Sequence, residues 1–453
     1  MNTVKLSALA LAFLAVSTAS AQNLKHWWSG SSGTTDFTDT TEAVRFDGRG
    51  NLYALYTINN GGNIDLRITK YSNKGAVIWS TPLDVGPFDF GESMAVDAAG
   101  NLIVAGFVGG NQLDQDLLIA RFDALTGVPQ TRRVDHPQGG IRRIAATDIA
   151  IDPSDGNLVL AGGMDVNDVR RPYIFKYNST TLQEIWRSGV DGRPGNFTHV
   201  VPYGNRIYFG GVDGQHDSVI LGYVPTTGGE LTTFLPTVPS QSREWMTKMI
   251  VMFDRVIWGG YSTTDFAGAQ NHGVHYGMYD FSGVTPRFTE FTTNGNGPIS
   301  DLVYDEGTGI LGLQHNFSAA VDPTRGNEVA FLAVNFATNT LTPVGSFASP
   351  GRGFGLARVG DGKFASYAFG DDGVQAVLVD PSRGNLSSTA LGAGTFPVDV
   401  ETGVPNVSHL PVTALDRATA IGNRSPFGPR VHSLSFLDGL DSRRLREDTG
   451  YTF

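Results

Sequence analysis

The sequence predicts an all-β protein, a β-propeller of four-stranded antiparallel blades. Eight blades are expected, with seven as the alternative count, and the ring is expected to be closed by the N-terminal strand. Three observations carry this. Met94-Ala-Val-Asp-Ala-Ala-Gly-Asn-Leu-Ile-Val-Ala-Gly106 and Ile149-Ala-Ile-Asp-Pro-Ser-Asp-Gly-Asn-Leu-Val-Leu-Ala-Gly162 are two copies of one phrase. Weaker copies return roughly every 50 residues, the period of one blade. Glycine is abundant, at 57 residues, and only 17% of residues are charged, a composition of tight turns between short strands.

Each repeat reads as four strands, a to d. Strand a is a short apolar run ending in a Gly/Asn/Asp turn, as in Ala43-Val-Arg-Phe-Asp-Gly-Arg-Gly-Asn51. Strand b follows at once, as in Leu102-Ile-Val-Ala-Gly106. A polar loop leads to strand c, such as Asp116-Leu-Leu-Ile-Ala-Arg-Phe122, and a turn feeds strand d, such as Ala76-Val-Ile-Trp-Ser80. Strands a and b are nearly continuous in hydrophobicity, as expected where both faces are covered. Aligned on strand b, the copies begin near Asn51, Asn101, Asn157, Asn205, Arg255, Gly309, Lys363 and Arg417. Lys25-His-Trp-Trp-Ser29 has no blade of its own and is expected to supply or supplement the outer strand of the last one, removing two exposed sheet edges.

The start of the chain reads as an export signal. Lys5 gives a positive n-region, residues 6–16 form an apolar run too short to span a bilayer, and Ala19-Ser20-Ala21 is a cleavage site. The expected division is therefore a signal peptide at 1–21, a propeller at 22–445 and a tail at 446–453. Such a protein would be exported, to the periplasm, the cell surface or the medium, with no transmembrane segment in its mature chain. It is expected to be a monomer. Cysteine is absent, which favours a bacterial source over a eukaryotic secreted one and excludes thiol nucleophiles, iron–sulfur clusters and Cys-ligated zinc. The net charge of −11 with no basic block excludes nucleic acid as partner.

Few motifs carry chemistry. Asp47, Asp97 and Asp152 recur at one point of the repeat and read as hairpin caps, one per blade, rather than a converging site. Asp65, Asp116 and Asp217, at the start of strand c, read as structural in the same way. Neither 152–157 nor 370–373 has the spacing of a calcium loop, no H-E-x-x-H or G-x-S-x-G is present, and no metal or cofactor is expected. Topology then directs attention to the rim where b–c and d–a loops meet, at residues 134–147, 241–246, 263–273, 316–327 and 392–406. On these loops are expected Arg142, Arg143, Arg243, Trp245, His272, His315 and Arg352, a set suited to clasping an anionic group such as a uronate.

The first three repeats share the core A-V-D-x-x-G-N followed by an apolar run and A-G, then D-x5-[YF] and a [TN]-x-G turn. The matching residues are Ala43 to Tyr56 with Asp65 and Tyr71, Ala95 to Gly106 with Asp116 and Phe122, and Ala150 to Gly162 with Tyr177. This pattern resembles the bacterial SBBP-type β-propeller repeat family, strongly to about residue 225. The resemblance implies a secreted or surface propeller, most of whose relatives have no assigned reaction. The expected function is a binding or scaffold module for an extracytoplasmic protein or glycan, with no catalytic residue identified. A polysaccharide lyase or glycosidase with an axial site is the alternative. A quinone-dependent dehydrogenase is a remote one, because Asp123-Ala-Leu-Thr-Gly127 has the quinoprotein turn without its Trp, whereas Trp79 and Trp186 lack the full turn.

Overall fold

The structure, a computed structural model, describes residues 24–30, 40–47 and most of 51–381. Their strands fall into seven four-stranded sets. The first comprises Thr40–Phe46, Leu52–Asn60, Asn63–Tyr71 and Val77–Leu83, and the second Phe88–Val96, Leu102–Asn111, Asp114–Phe122 and Pro129–Asp135. The third comprises Ile141–Ile151, Leu158–Val166, Val169–Tyr177 and Glu184–Gly189, and the fourth Gly195–Tyr203, Arg206–Asp213, Ser218–Pro225 and Thr232–Phe234. The fifth comprises Arg243–Met252, Arg255–Thr263, His272–Asp280 and Arg287–Asn296, and the sixth Ile299–Asp305, Ile310–Asn316, Asn327–Asn335 and Thr340–Ser349. The seventh has Arg352–Gly360, Lys363–Gly370 and Gly373–Val379, with Leu24–Gly30 pairing antiparallel along its outer edge. Two single parallel pairs, Ile64 with Phe88 and Arg143 with Gln115, join the first three sets into one sheet of 12 strands.

Every strand b expected from the sequence begins within one residue of its place as far as Lys363. The eighth repeat, expected around Arg417 and 431–436, lies outside the described residues. The N-terminal strand does supply an outer partner, but to the seventh set. There it covers an edge that would otherwise be open to another chain.

The cores lie between the sheets rather than inside any one of them. Tyr53, Leu66, Met94 and Val104 pack between the first and second sets; Ile103, Ala146, Leu160 and Phe175 between the second and third. The series continues with Ile174, Phe197 and Phe209, then Tyr208, Met249 and Trp258, then Ile257, Leu302 and Leu313, and last Phe331, Leu356 and Phe364. This is why the first and second strands read as unbroken apolar runs: Leu158 to Asp165 is buried on both faces. The first strands of successive sets also touch each other, and that of the seventh touches that of the first.

Each first strand carries a β-bulge, and all seven occur at the same point. The pairing shifts across Glu42, Glu92, Thr147, Thr198, Thr247, Ser300 and Phe354. A bulge leaves one residue outside the ladder and bends the strand. Its partner strand must then come close, which explains the glycine that ends the repeated phrase. A Cβ on Gly106 would stand 1.9 Å from the Phe90 carbonyl oxygen, and on Gly162 2.1 Å from that of Ala145. Gly211 meets the Asn196 carbonyl oxygen in the same way, at 2.1 Å.

At the opposite end, the recurring aspartates close the a–b hairpins. Asp47 accepts from the amide N–H of Asn51 at 2.9 Å, Asp97 from that of Asn101 at 2.8 Å and Asp152 from that of Ser154 at 2.9 Å. A cation on the third strand then locks each turn: Lys70 on Asp47, Arg121 on Asp97 and Lys176 on Asp152. The same cations donate onward to Ala124, Ser179 and Thr226 carbonyls, each on the next set. Those aspartates are therefore structural, as the sequence indicates.

The bulge geometry makes a direct prediction. Gly162→Ala forces a methyl group into the Ala145 carbonyl, and the chain is expected to lose about 1–3 kcal/mol, in the range of core overpacking. Urea denaturation monitored by tryptophan fluorescence measures it; an unchanged midpoint would show that the close approach is not required.

Candidate functional site

The seven residues expected on rim loops lie instead in strands, all at the end of the sheets where first strands begin, second strands finish and third strands start. Arg142 and Arg143 open the third first strand. Arg243 pairs with Thr263, which pairs with His272, so three neighbouring strands of the fifth set carry them side by side. Trp245 pairs with Tyr261, His315 with Ile299, and Arg352 with Phe369. Strand pairing simply continues past the bulge, farther than the polar character of these segments indicates. The seven positions thus share one end of the sheets but are spread over the third, fifth, sixth and seventh sets.

The described side chains at this end are already engaged. Arg143 and Arg170 both bind the buried carboxylate of Asp165, the latter at 3.2 Å. Both guanidiniums share this carboxylate in a wall that also contains the buried Gln115 and Asn196, and Glu92 lies close enough to act on Arg170. A Cβ on Gly163 would lie 2.6 Å from both Arg170 Nε and Asn196 Oδ1, so glycine is what leaves room for these two groups. His315 is buried, with Nε2 3.5 Å from Glu328 on the paired strand. Neither Asp165 nor Arg170 is marked by a motif; the hairpin that aligns them emerges only from the register.

A second polar group lies where the first strands meet. The residues just after the bulges include Ser93, Asp148, His199, Lys248 and Asp301, all buried. Ser93 donates to Asp148 at 2.7 Å, and the other Asp148 oxygen accepts the Val200 amide at 3.1 Å. Asp301 repeats the pattern on the sixth set, accepting the amides of Leu302 at 2.9 Å and Leu356 at 2.6 Å. In both cases a carboxylate of one first strand holds the amide two residues past the bulge of the next. Burial pushes the Asp301 carboxyl up to about 7, against the opposing pull of Lys248, the two amides and Arg45. Sequence reasoning passed over this group, although Thr147-Asp148, Thr198-His199, Thr247-Lys248 and Ser300-Asp301 recur at blade spacing between apolar neighbours.

These carboxylates are committed to backbone amides and shielded from water, so they serve the join between sheets. Acid–base catalysis needs a group within hydrogen-bond reach of a substrate proton.

No protein-family model matches the chain, and no curated protein matches it. The resemblance to SBBP-type repeats is therefore a resemblance of the repeat pattern alone. Among solved structures, U3-55K is similar with a TM-score of 0.53 at 9% identity, covering 79% of this chain and 98% of that one. Sqt1 from Saccharomyces cerevisiae gives 0.47 at 11% identity, covering 79% and 99%. The periplasmic gluconolactonase of Pseudomonas aeruginosa gives 0.41 at 13% identity, covering 76% and 96%. At 9% identity the likeness to U3-55K concerns fold alone, and that fold is β-propeller-like.

The buried Asp301 gives a pH prediction. The folded chain holds this proton more tightly than the unfolded chain, so its contribution to stability is full below about pH 4 and is lost as pH rises through about 7. The denaturation midpoint of the wild type is expected to fall more steeply over that window than that of Asp301→Asn. Parallel pH profiles would remove Asp301 as the titrating group.

Proposed function

We propose that this protein is an exported binding module: a ring of seven blades, closed by its N-terminal strand, that takes an acidic extracytoplasmic ligand at the arginine-bearing end of its sheets. Support for the closed ring comes from the pairing of Leu24–Gly30 with Gly373–Val379 and from the contact between the seventh and first of the first strands. Support for export comes from the signal-like residues 1–21. The observation that carries the ligand reading is the placement of Arg142, Arg143, Arg243, His272 and Arg352 at one end of the sheets. Planar guanidiniums match carboxylates in bidentate geometry, which makes an acidic glycan a fitting ligand class.

The test is binding of the full chain to polygalacturonate and alginate, with neutral dextran as control. Binding is expected only to the acidic polymers, to weaken with salt, and to drop by about tenfold, or 1.4 kcal/mol, in Arg243→Ala and Arg352→Ala. Leu125→Ser, at the other end of the sheets, is expected to bind as the wild type does. Absence of binding would overturn the proposal. Release of unsaturated or reducing ends would replace it with the lyase or glycosidase reading.

A further inference from the structure

We propose that Asp65, Asp84 and Asp89 form a calcium site at the junction of the first and second sheets. It sits one junction before the Arg143–Asp165–Arg170 cluster, and the proposal stands independently of what the rim binds.

The three carboxylates come from separate elements. Asp65 is in the third strand of the first set, Asp84 follows its fourth strand, and Asp89 is the second residue of the next first strand. One oxygen from each lies within 4.8 Å of the other two. Nothing in their spacing shows this; the fold assembles them, through the parallel pairing of Ile64 with Phe88 and the bond from the Ile64 amide to the Pro87 carbonyl.

Asp89 distinguishes the group from an ordinary acidic patch. Its side chain is fully buried, and Oδ2 is fixed by the amides of Val85, at 2.5 Å, and Gly86, at 3.3 Å. Its other oxygen, Oδ1, is buried with no hydrogen-bond partner. A buried carboxylate oxygen left bare costs free energy, and two nearby carboxylates raise that cost. A divalent cation reverses both terms. The neighbouring groups are also oriented: Asn63 Nδ2 donates to Asp65 Oδ1 at 2.8 Å. At the next junction the corresponding parallel pair is Gln115 with Arg143, where the chain brings a guanidinium of its own.

The donors are all oxygens, which selects a hard cation over zinc or copper. Three carboxylates from three segments, one of them exposed, form an irregular site that suits calcium better than the strict octahedron of magnesium.

Isothermal titration of the chelator-treated full chain with calcium chloride tests this, with magnesium chloride in parallel. One calcium ion per chain is expected, with Kd on the order of 10⁻⁴–10⁻³ M as in extracellular modules, and magnesium at least about tenfold weaker. Asp84→Asn alters an exposed side chain, so the fold is retained, and it is expected to weaken calcium at least about tenfold. Asp89→Asn is expected to abolish binding. No calcium heat in the wild type, or a Kd unchanged in Asp84→Asn, would overturn the proposal.

Discussion

Sheets that stand side by side share at most a single parallel backbone pair here, so something else must fix each on its neighbour. Here the recurring bulge of the first strands supplies it. The residue expelled from the ladder is Thr147, Thr198 or Thr247 in three successive sets, and its hydroxyl reaches the carbonyl just before the next bulge. Thr147 reaches Phe197 at 2.5 Å, Thr198 reaches Met246 at 3.2 Å and Thr247 reaches Ile299 at 2.6 Å. Ser300 continues the series through Gln314, whose amide donates to Ser366 of the seventh set at 2.9 Å. Such bonds are individually modest, but buried and repeated they specify one relative placement of the sheets. The apolar cores between sheets supply most of the adhesion, without direction.

The far end of the sheets uses a different device for the same purpose. Lys70, Arg121 and Lys176 each neutralise a hairpin aspartate of their own set and donate to a turn of the next. Hydroxyls and carboxylates join the sheets where first strands meet, and cations join them at the turns.

Much of this was legible in the sequence, because turn chemistry and blade period are local. The A-V-D-x-x-G-N phrase and its period of about 50 residues located the a–b hairpins from Asn51 to Lys363, and the left-handed backbone at Gly100 and Gly156 is what those glycines provide. The fifth hairpin manages with Phe253 and Asp254 in that conformation, held by Tyr203 and Tyr208 of the preceding set. The bulges were not read, although Gly106 and Gly162 mark them, because a close approach between strands depends on register rather than on composition. The same limit hid Asp165 with Arg170, and Asp65 with Asp84 and Asp89. Each is a meeting of segments whose separation along the chain carries no motif.

If the side-chain bonds between first strands hold the sheets in place, the amides of Val200 and Leu356 are sealed by Asp148 and Asp301 as firmly as any ladder amide. Hydrogen exchange of these two amides measures it most directly. The account predicts that both exchange only with global unfolding, at the rate of amides in the central strands. Exchange at the much faster rate of the open turns would contradict it.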